Sequence, residues 1–433
     1  MGCGAKSAGI MFLGNKLFMT PTHNIFLSWR DNATHNLVQV GAFLFGALSL
    51  AIPSGYSYGP AILLAVSLTV CWRPLYWLRM PKEVKMLALF FILYALVQGL
   101  SILLDNGSVR EFDRPSRVIM ATLILPLLVQ NPVRPITISL GVAVGAFIAG
   151  IVSSYEKFYL GVDRAFENMM PIQGGDISMT LGVLSLCSYF WFKKNGSFII
   201  AMFMLASCAM GMLGSFLSGT RGGWLLLPII LFTIVFHFKE TLCKVDKMVF
   251  AILMLGMIGV VSIPQTNVLV RIDAARSDVV HFIKGDNKDT SLGIRFQLWY
   301  SALDSYLHKP FIGWGNNGIR QSQLEQLKSG KITQFIYDFD SHAHNQFLDE
   351  MSKRGTLGLV VILMMFLYPV LIYRRLTKIN LITPIMLGVS VLCTIDYSLS
   401  QAFLNHNSGI IFFSMLTAIL VTSAVSEQMM MDR

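Results

Sequence analysis

Apolar runs of 12 to 20 residues recur along this chain, most of them separated by short polar breaks. A soluble domain buries one or two such runs; a chain that repeats them has lipid as its solvent, and in lipid only helices or closed barrels satisfy the backbone. The runs lie at 37–53, 59–71, 86–104, 118–129, 136–152, 177–192, 198–217, 224–238, 248–263, 357–373, 382–395 and 410–425. The expected fold is all-α and polytopic, with about 12 transmembrane helices, some short enough to need tilt or partial burial. Charged residues make up 13% of the chain, against about 25% in soluble domains, which agrees. No internal repeat is visible, which weighs against transporters built from two similar halves.

Cytoplasmic loops collect Lys and Arg. Alternate loops do so here: Arg73, Arg79, Lys82 and Lys85; Arg134; Lys193 and Lys194; Lys239, Lys244 and Lys247; Arg374, Arg375 and Lys378. That side, with both termini, is placed in the cytoplasm. The net charge of +10 then sits where anionic headgroups and the insertion rule favour it, so no nucleic-acid partner is needed. Cys3, Cys71, Cys187, Cys208, Cys243 and Cys393 show no paired spacing and read as small core residues. The chain divides into a cytoplasmic or interfacial lead-in (1–36), helices one to nine (37–264), a long outer loop (265–355), and the last three helices with a cytoplasmic tail (356–433).

A loop as long as 265–355 is usually functional, and its sequence is ordered. From Ser291, read as the helix cap, Arg295, Trp299, Ala302 and Tyr306 share one helical face. Pro310-Phe-Ile-Gly313-Trp-Gly315 ends that helix, and 344–354 reads as a helix feeding the span at Leu357. On this topology several arginines stand on the outer side, against the insertion rule. They are Arg110, Arg114 and Arg117, then Arg164, and Arg221 in the tight Ser218-Gly-Thr-Arg221-Gly-Gly223 turn. An arginine pinned between glycines near the surface suits a lipid diphosphate, whose oxygens the guanidinium fork engages in pairs; snorkelling to headgroups is the plainer alternative.

Ser341-His342-Ala-His344-Asn345-Gln is the densest polar motif, with nine residues between Asn345 and Gly355-Thr-Leu-Gly358. A histidine at a helix start tends to stay neutral and so can accept a proton. Asp338-Phe-Asp340-Ser-His342-Ala-His344 also alternates potential metal ligands, but arginines can neutralise a diphosphate without a cation, and no metal is expected. Asp396, inside a span, is a functional candidate by default.

The His-Asn pair, nine residues and Gly-x-x-Gly resemble the signature of the bacterial O-antigen ligase family, in a superfamily with O-antigen polymerases and pilin O-oligosaccharyltransferases. Similar too are the Arg-Gly-Gly turn at Arg221, the Arg295-x-x-x-Trp299 helix with Pro310-x-x-Gly313-x-Gly315 behind it, the 113–117 loop, and Pro171-Ile-Gln173-Gly-Gly-Asp176-Ile-Ser178. Gly174 stands where relatives are expected to carry a phenylalanine, and residues 1–36 match no family pattern.

The resemblance implies a ligase in the bacterial inner membrane that takes O-antigen from undecaprenyl diphosphate and attaches it to a sugar hydroxyl of lipid A-core on the periplasmic side. It implies His344 as the catalytic histidine and Arg221 and Arg295 as diphosphate-binding residues. His342, Arg164, Arg117, Arg114, Asn345, Trp299 and Asp396 are supporting candidates. Such transfer needs an activated hydroxyl and cationic help for the leaving group, and no cofactor. An O-antigen polymerase or protein O-oligosaccharyltransferase would share the donor chemistry. A lipid-glycan transporter would instead place its ionisable residues mid-span.

Overall fold

The computed structural model describes residues 25–220, 222–244, 288–339, 342–377 and 381–432, with single positions at 246, 248, 251 and 277. Among the described residues the regular structure is entirely helical. The first part of the chain forms α1 (Ile25–Leu48), α2 (Tyr58–Ser67), α3 (Pro74–Leu78), α4 (Lys82–Leu104), α5 (Asp113–Gln130), α6 (Pro135–Ser154), α7 (Pro171–Lys194), α8 (Phe198–Leu217) and α9 (Leu227–Phe238). The long loop contributes α10 (Ser291–His308), α11 (Gly315–Lys328) and α12 (Gln334–Asp338); α13 (Gln346–Leu376), α14 (Ile382–Ser400) and α15 (Asn407–Met431) complete the bundle.

Among the described residues six helices are long and apolar enough to cross a membrane: Lys82–Leu104, Pro135–Tyr159, Phe198–Leu217, Gln346–Leu376, Ile382–Ser400 and Asn407–Met431. The expected runs at 37–53, 59–71, 118–129, 177–192 and 224–238 are helical but shorter or more polar. α2, with 10 residues, spans roughly 15 Å, half a hydrocarbon core. The run at 248–263 lies outside the described residues apart from single positions. α1 begins at Ile25, within the stretch read as a lead-in.

α15 is apolar all round and sits at the centre, buried along its whole apolar length, as such a helix must be. α7 and α14 are nearly as enclosed. α7 and α8 cross at Gly182 and Gly211, where a Cβ on Gly211 would fall 2.7 Å from the Gly182 Cα, the small-residue contact typical of membrane helices.

The long loop packs through polar as much as apolar contacts. Gln326 accepts from Ser301 at 2.6 Å, Ser305 meets Ser322 at 2.7 Å, and Leu298, Ile332 and Ile336 form a small core. The cap of α10 is Thr290, whose hydroxyl accepts from the Gly293 N–H at 3.2 Å; the expected cap, Ser291, is instead the first helical residue. The Asp105 carboxylate, at the end of α4, accepts from the Gly318 N–H at 2.9 Å and so fixes the start of α11. At the Gly-x-x-Gly motif, Gly355 takes φ +64° and lies against the Phe311 carbonyl, while the Thr356 N–H donates to the Pro310 carbonyl at 2.7 Å. The Pro-x-x-Gly turn is thereby clamped onto a kink in α13, where Gly355 leaves helical geometry (φ +64°, ψ −154°) at the boundary expected at 355 and joins two helical segments.

Candidate active site

Asn345 caps α13. Its side-chain oxygen accepts from the N–H groups of Phe347 (3.0 Å) and Leu348 (3.1 Å), and its amide donates to the Leu399 carbonyl at 3.1 Å. The start of α13 is thus tied to the end of α14, and His344 is delivered to the seam. His344 holds φ +48°, a left-handed conformation uncommon for a residue with a Cβ and frequent at functional positions.

The tautomers follow from the partners. Gln401 Oε1 receives the Ala402 N–H at 3.3 Å, which fixes it as an acceptor, and His344 Nδ1 lies 2.9 Å from the same oxygen. His344 Nδ1 therefore carries the proton, and Nε2 keeps a free lone pair. The His344 backbone N–H donates to His342 Nδ1 at 3.1 Å, so His342 is protonated on Nε2. The two rings lie 4.5 Å apart, and His406 stands 5.9 Å from His342 on the other side.

Burial favours the neutral form of all three rings. Burial, then the charge of Arg295, pulls His344 below the ordinary imidazole value of 6.5. Burial lowers His342 to about 3, and burial with Arg114 lowers His406 to about 4. Arg295 is itself held below its usual value by burial. The histidine array adjoins an open cleft of about 590 Å³ between the 108–114 segment and α11, lined by Arg110, Arg114, Arg320, Lys353, His342 and His406 among others.

Several expected residues come together here: His342, His344 and Asn345 directly, with Arg295 and Arg114 close enough for their charges to bear on the rings. Others do not. Arg117 is paired with Asp113 at 2.6 Å. Arg164 donates to the Ser218 carbonyl at 2.8 Å, beside the turn that precedes Arg221; Arg221 itself, like Asp340 and Ser341, lies outside the described residues. Gly222 and Gly223 are needed for close packing, since a Cβ on Gly222 would run into the Ser400 hydroxyl and one on Gly223 would fall 2.6 Å from Asp176 Oδ1. Asp396 accepts from the Leu226 N–H at 3.0 Å and keeps its other oxygen buried without a partner. Trp299 lies against Phe296, with its indole N–H buried and unpaired.

No group of three or more His, Cys, Asp or Glu among the described residues is placed to hold a metal ion. His342, a potential ligand in the alternative metal reading, spends its Nδ1 lone pair on a backbone N–H. Two site residues were missed in the sequence. Gln401 carries no local signal. His406 does, because His406-Asn407 repeats the His-Asn pair immediately before an apolar run.

Comparisons with known proteins point one way. A family model described as O-antigen ligase matches residues 203–363, from α8 into α13. Over 378 residues the chain is 33% identical to an uncharacterized protein of Haemophilus influenzae, covering 86% of this chain and 94% of that one. A stretch of 85 residues, 19% of this chain and 15% of its relative, is 34% identical to a ComP-specific O-oligosaccharyltransferase of Acinetobacter baylyi.

Proposed function

Because the chain belongs to the O-antigen ligase family, we propose that it transfers glycan from undecaprenyl diphosphate to a sugar hydroxyl of lipid A-core at the periplasmic face of the inner membrane. The observation that carries this reading is the His344 ring. Its Nδ1–H is held by Gln401, and its Nε2 is left as a neutral proton acceptor beside a buried arginine.

The acceptor hydroxyl gives its proton to His344 Nε2 while its oxygen bonds the anomeric carbon from the face opposite the diphosphate. The bond from that carbon to the diphosphate oxygen breaks, and its electron pair leaves with the diphosphate. Configuration inverts. Arg295, and on sequence grounds Arg221, are assigned to the charge that develops on the leaving oxygens, a role that favours a guanidinium over an ammonium and needs no metal. About a dozen membrane passes, cytoplasmic termini and a periplasmic 265–355 loop belong to the same reading.

A protein acceptor is the second reading, favoured by the 85 residues shared with the ComP-specific enzyme. The test offers the purified protein a lipid-diphosphate glycan with lipid A-core, with a pilin-like protein, or with excess donor alone, and resolves the products by gel. A ligase modifies lipid A-core. Modified protein or lengthened donor would replace that conclusion with the corresponding transferase or polymerase.

A further inference from the structure

We propose that the cleft beside His342 and His406 seats the acceptor, and that it does so by binding an anionic, phosphate-like group on the acceptor sugar; this rests on the transfer reading above. The charge of the cleft is directional. Its two carboxylates are engaged elsewhere: Glu111 accepts from the Ser108 N–H at 2.8 Å and from Asn316, and Asp113 holds Arg117 and accepts from Asn407 at 2.7 Å. The side chains of Arg110 and Arg114 make no hydrogen bond or ion pair among the described residues. Arg320 is held over the Tyr337 ring at 4.1 Å, and Lys353 is paired with Asp349 at 2.8 Å. The charge of Glu111 bears on Arg114, but neither guanidinium is hydrogen-bonded or ion-paired to an acid of the cleft, so both keep their donors for an external anion in a bidentate grip.

A neutral group at the same place is also without a partner. His406 Nε2 is buried and makes no hydrogen bond, in a residue that lines the cleft. A buried ring nitrogen left unpaired costs free energy that a ligand hydroxyl or phosphate oxygen would recover. The volume of about 590 Å³ falls within the range of small-molecule sites and suits a sugar with one substituent.

The division of cations assigns the cleft to one of the two substrates. Arg295 acts on His344 and is no part of the cleft lining, whereas Arg114 acts on His406 within it. Transfer between two large substrates needs the donor diphosphate and the acceptor on different sides of the base. The Arg295 side answers to the diphosphate, so the Arg110–Arg114 side answers to the acceptor.

The test uses the full protein in nanodiscs with two probes, lipid A-core and the same material stripped of phosphate by hydrofluoric acid, with binding measured in the absence of donor. Arg110→Gln/Arg114→Gln should weaken binding of the phosphorylated probe by about tenfold per arginine, the size of a lost charge-assisted contact. Binding of the stripped probe should not change, and Arg110→Lys/Arg114→Lys should restore part of the loss, which a misfolded protein could not do. During turnover the KM for acceptor should rise and the KM for donor should hold. If donor KM rises and acceptor binding is unaffected, the cleft serves the diphosphate and the proposal is wrong. If neither moves, the arginines are headgroup anchors and it is equally wrong. Wild-type protein that binds the phosphorylated probe in an arginine-dependent way but transfers nothing would leave the anion site standing and remove the transfer reading instead.

Discussion

At the scale of single residues, His342 and His344 are two rings with opposite tautomers, and that difference separates their roles. His344 exposes a lone pair on Nε2; His342 spends its Nδ1 lone pair on the backbone that carries His344. His344→Ala should therefore lower turnover by about 10²- to 10⁴-fold, the usual loss of a positioned base, while donor binding holds. His342→Ala should cost less, because it loosens its neighbour without removing the proton acceptor. Single-turnover rates with donor affinity measured in parallel check both, and equal losses would mean that the rings act as one unit. The pH profile follows from the same environment. His344 must be neutral to act, and its folded value lies below 6.5, so the neutral form persists as pH falls through the range where a free imidazole would protonate. The acid limb of kcat/KM should therefore have its midpoint below pH 6.5. Gln401 supports the protonated ring, so Gln401→Leu should push that midpoint lower still and reduce kcat; a limb at or above 6.5 would assign the titration to another group.

Among the helices, the seam between α13 and α14 is what the chain builds with most care, and it shows how far the sequence could be read. The apolar runs at 86–104, 198–217 and 382–395 became helices close to where their pattern put them, because lipid burial and backbone satisfaction act locally. The His-Asn spacing pointed to the start of α13, because a cap and the helix it opens are neighbours in sequence. Gln401 and His406 belong to the site only because α13, α14 and α15 meet there, and contacts across some sixty residues leave no periodicity to detect. The Thr290–Ser291 cap was misread by one residue, since either hydroxyl satisfies the pattern and only backbone geometry decides between them. Asn345 was expected to assist chemistry, yet its atoms are taken up by two α13 N–H groups and the Leu399 carbonyl. Asn345→Ala should accordingly lower stability by about 1 kcal/mol through the lost cap. Asn345→Asp should recover much of that, because a carboxylate still accepts from both N–H groups. Thermal unfolding in detergent measures the pair, and an alanine variant that loses activity at unchanged stability would return Asn345 to the catalytic group.

For the whole molecule, the loop, the bundle and the membrane must agree on one direction. α11 is fixed by Asp105 at the end of α4, and the Pro310 turn is clamped at Gly355, so the loop and the outer ends of α4 and α13 lie on a single face. The clusters at 193–194 and 239–244 close the opposite ends of α7 and α9, where basic residues favour the cytoplasm. The histidines sit on the loop side, so catalysis and topology stand or fall together. A reporter fused after Lys194 or Lys244 should be active only in the cytoplasm, and one inserted at Asn287 only in the periplasm. An impermeant thiol reagent applied to intact cells should label a cysteine placed at Asn287 and spare one placed at Lys194. Should the sides come out reversed, the site would face the cytoplasm, a lipid-diphosphate glycan presented in the periplasm could not reach His344, and both the donor assignment and the acceptor cleft would have to be abandoned.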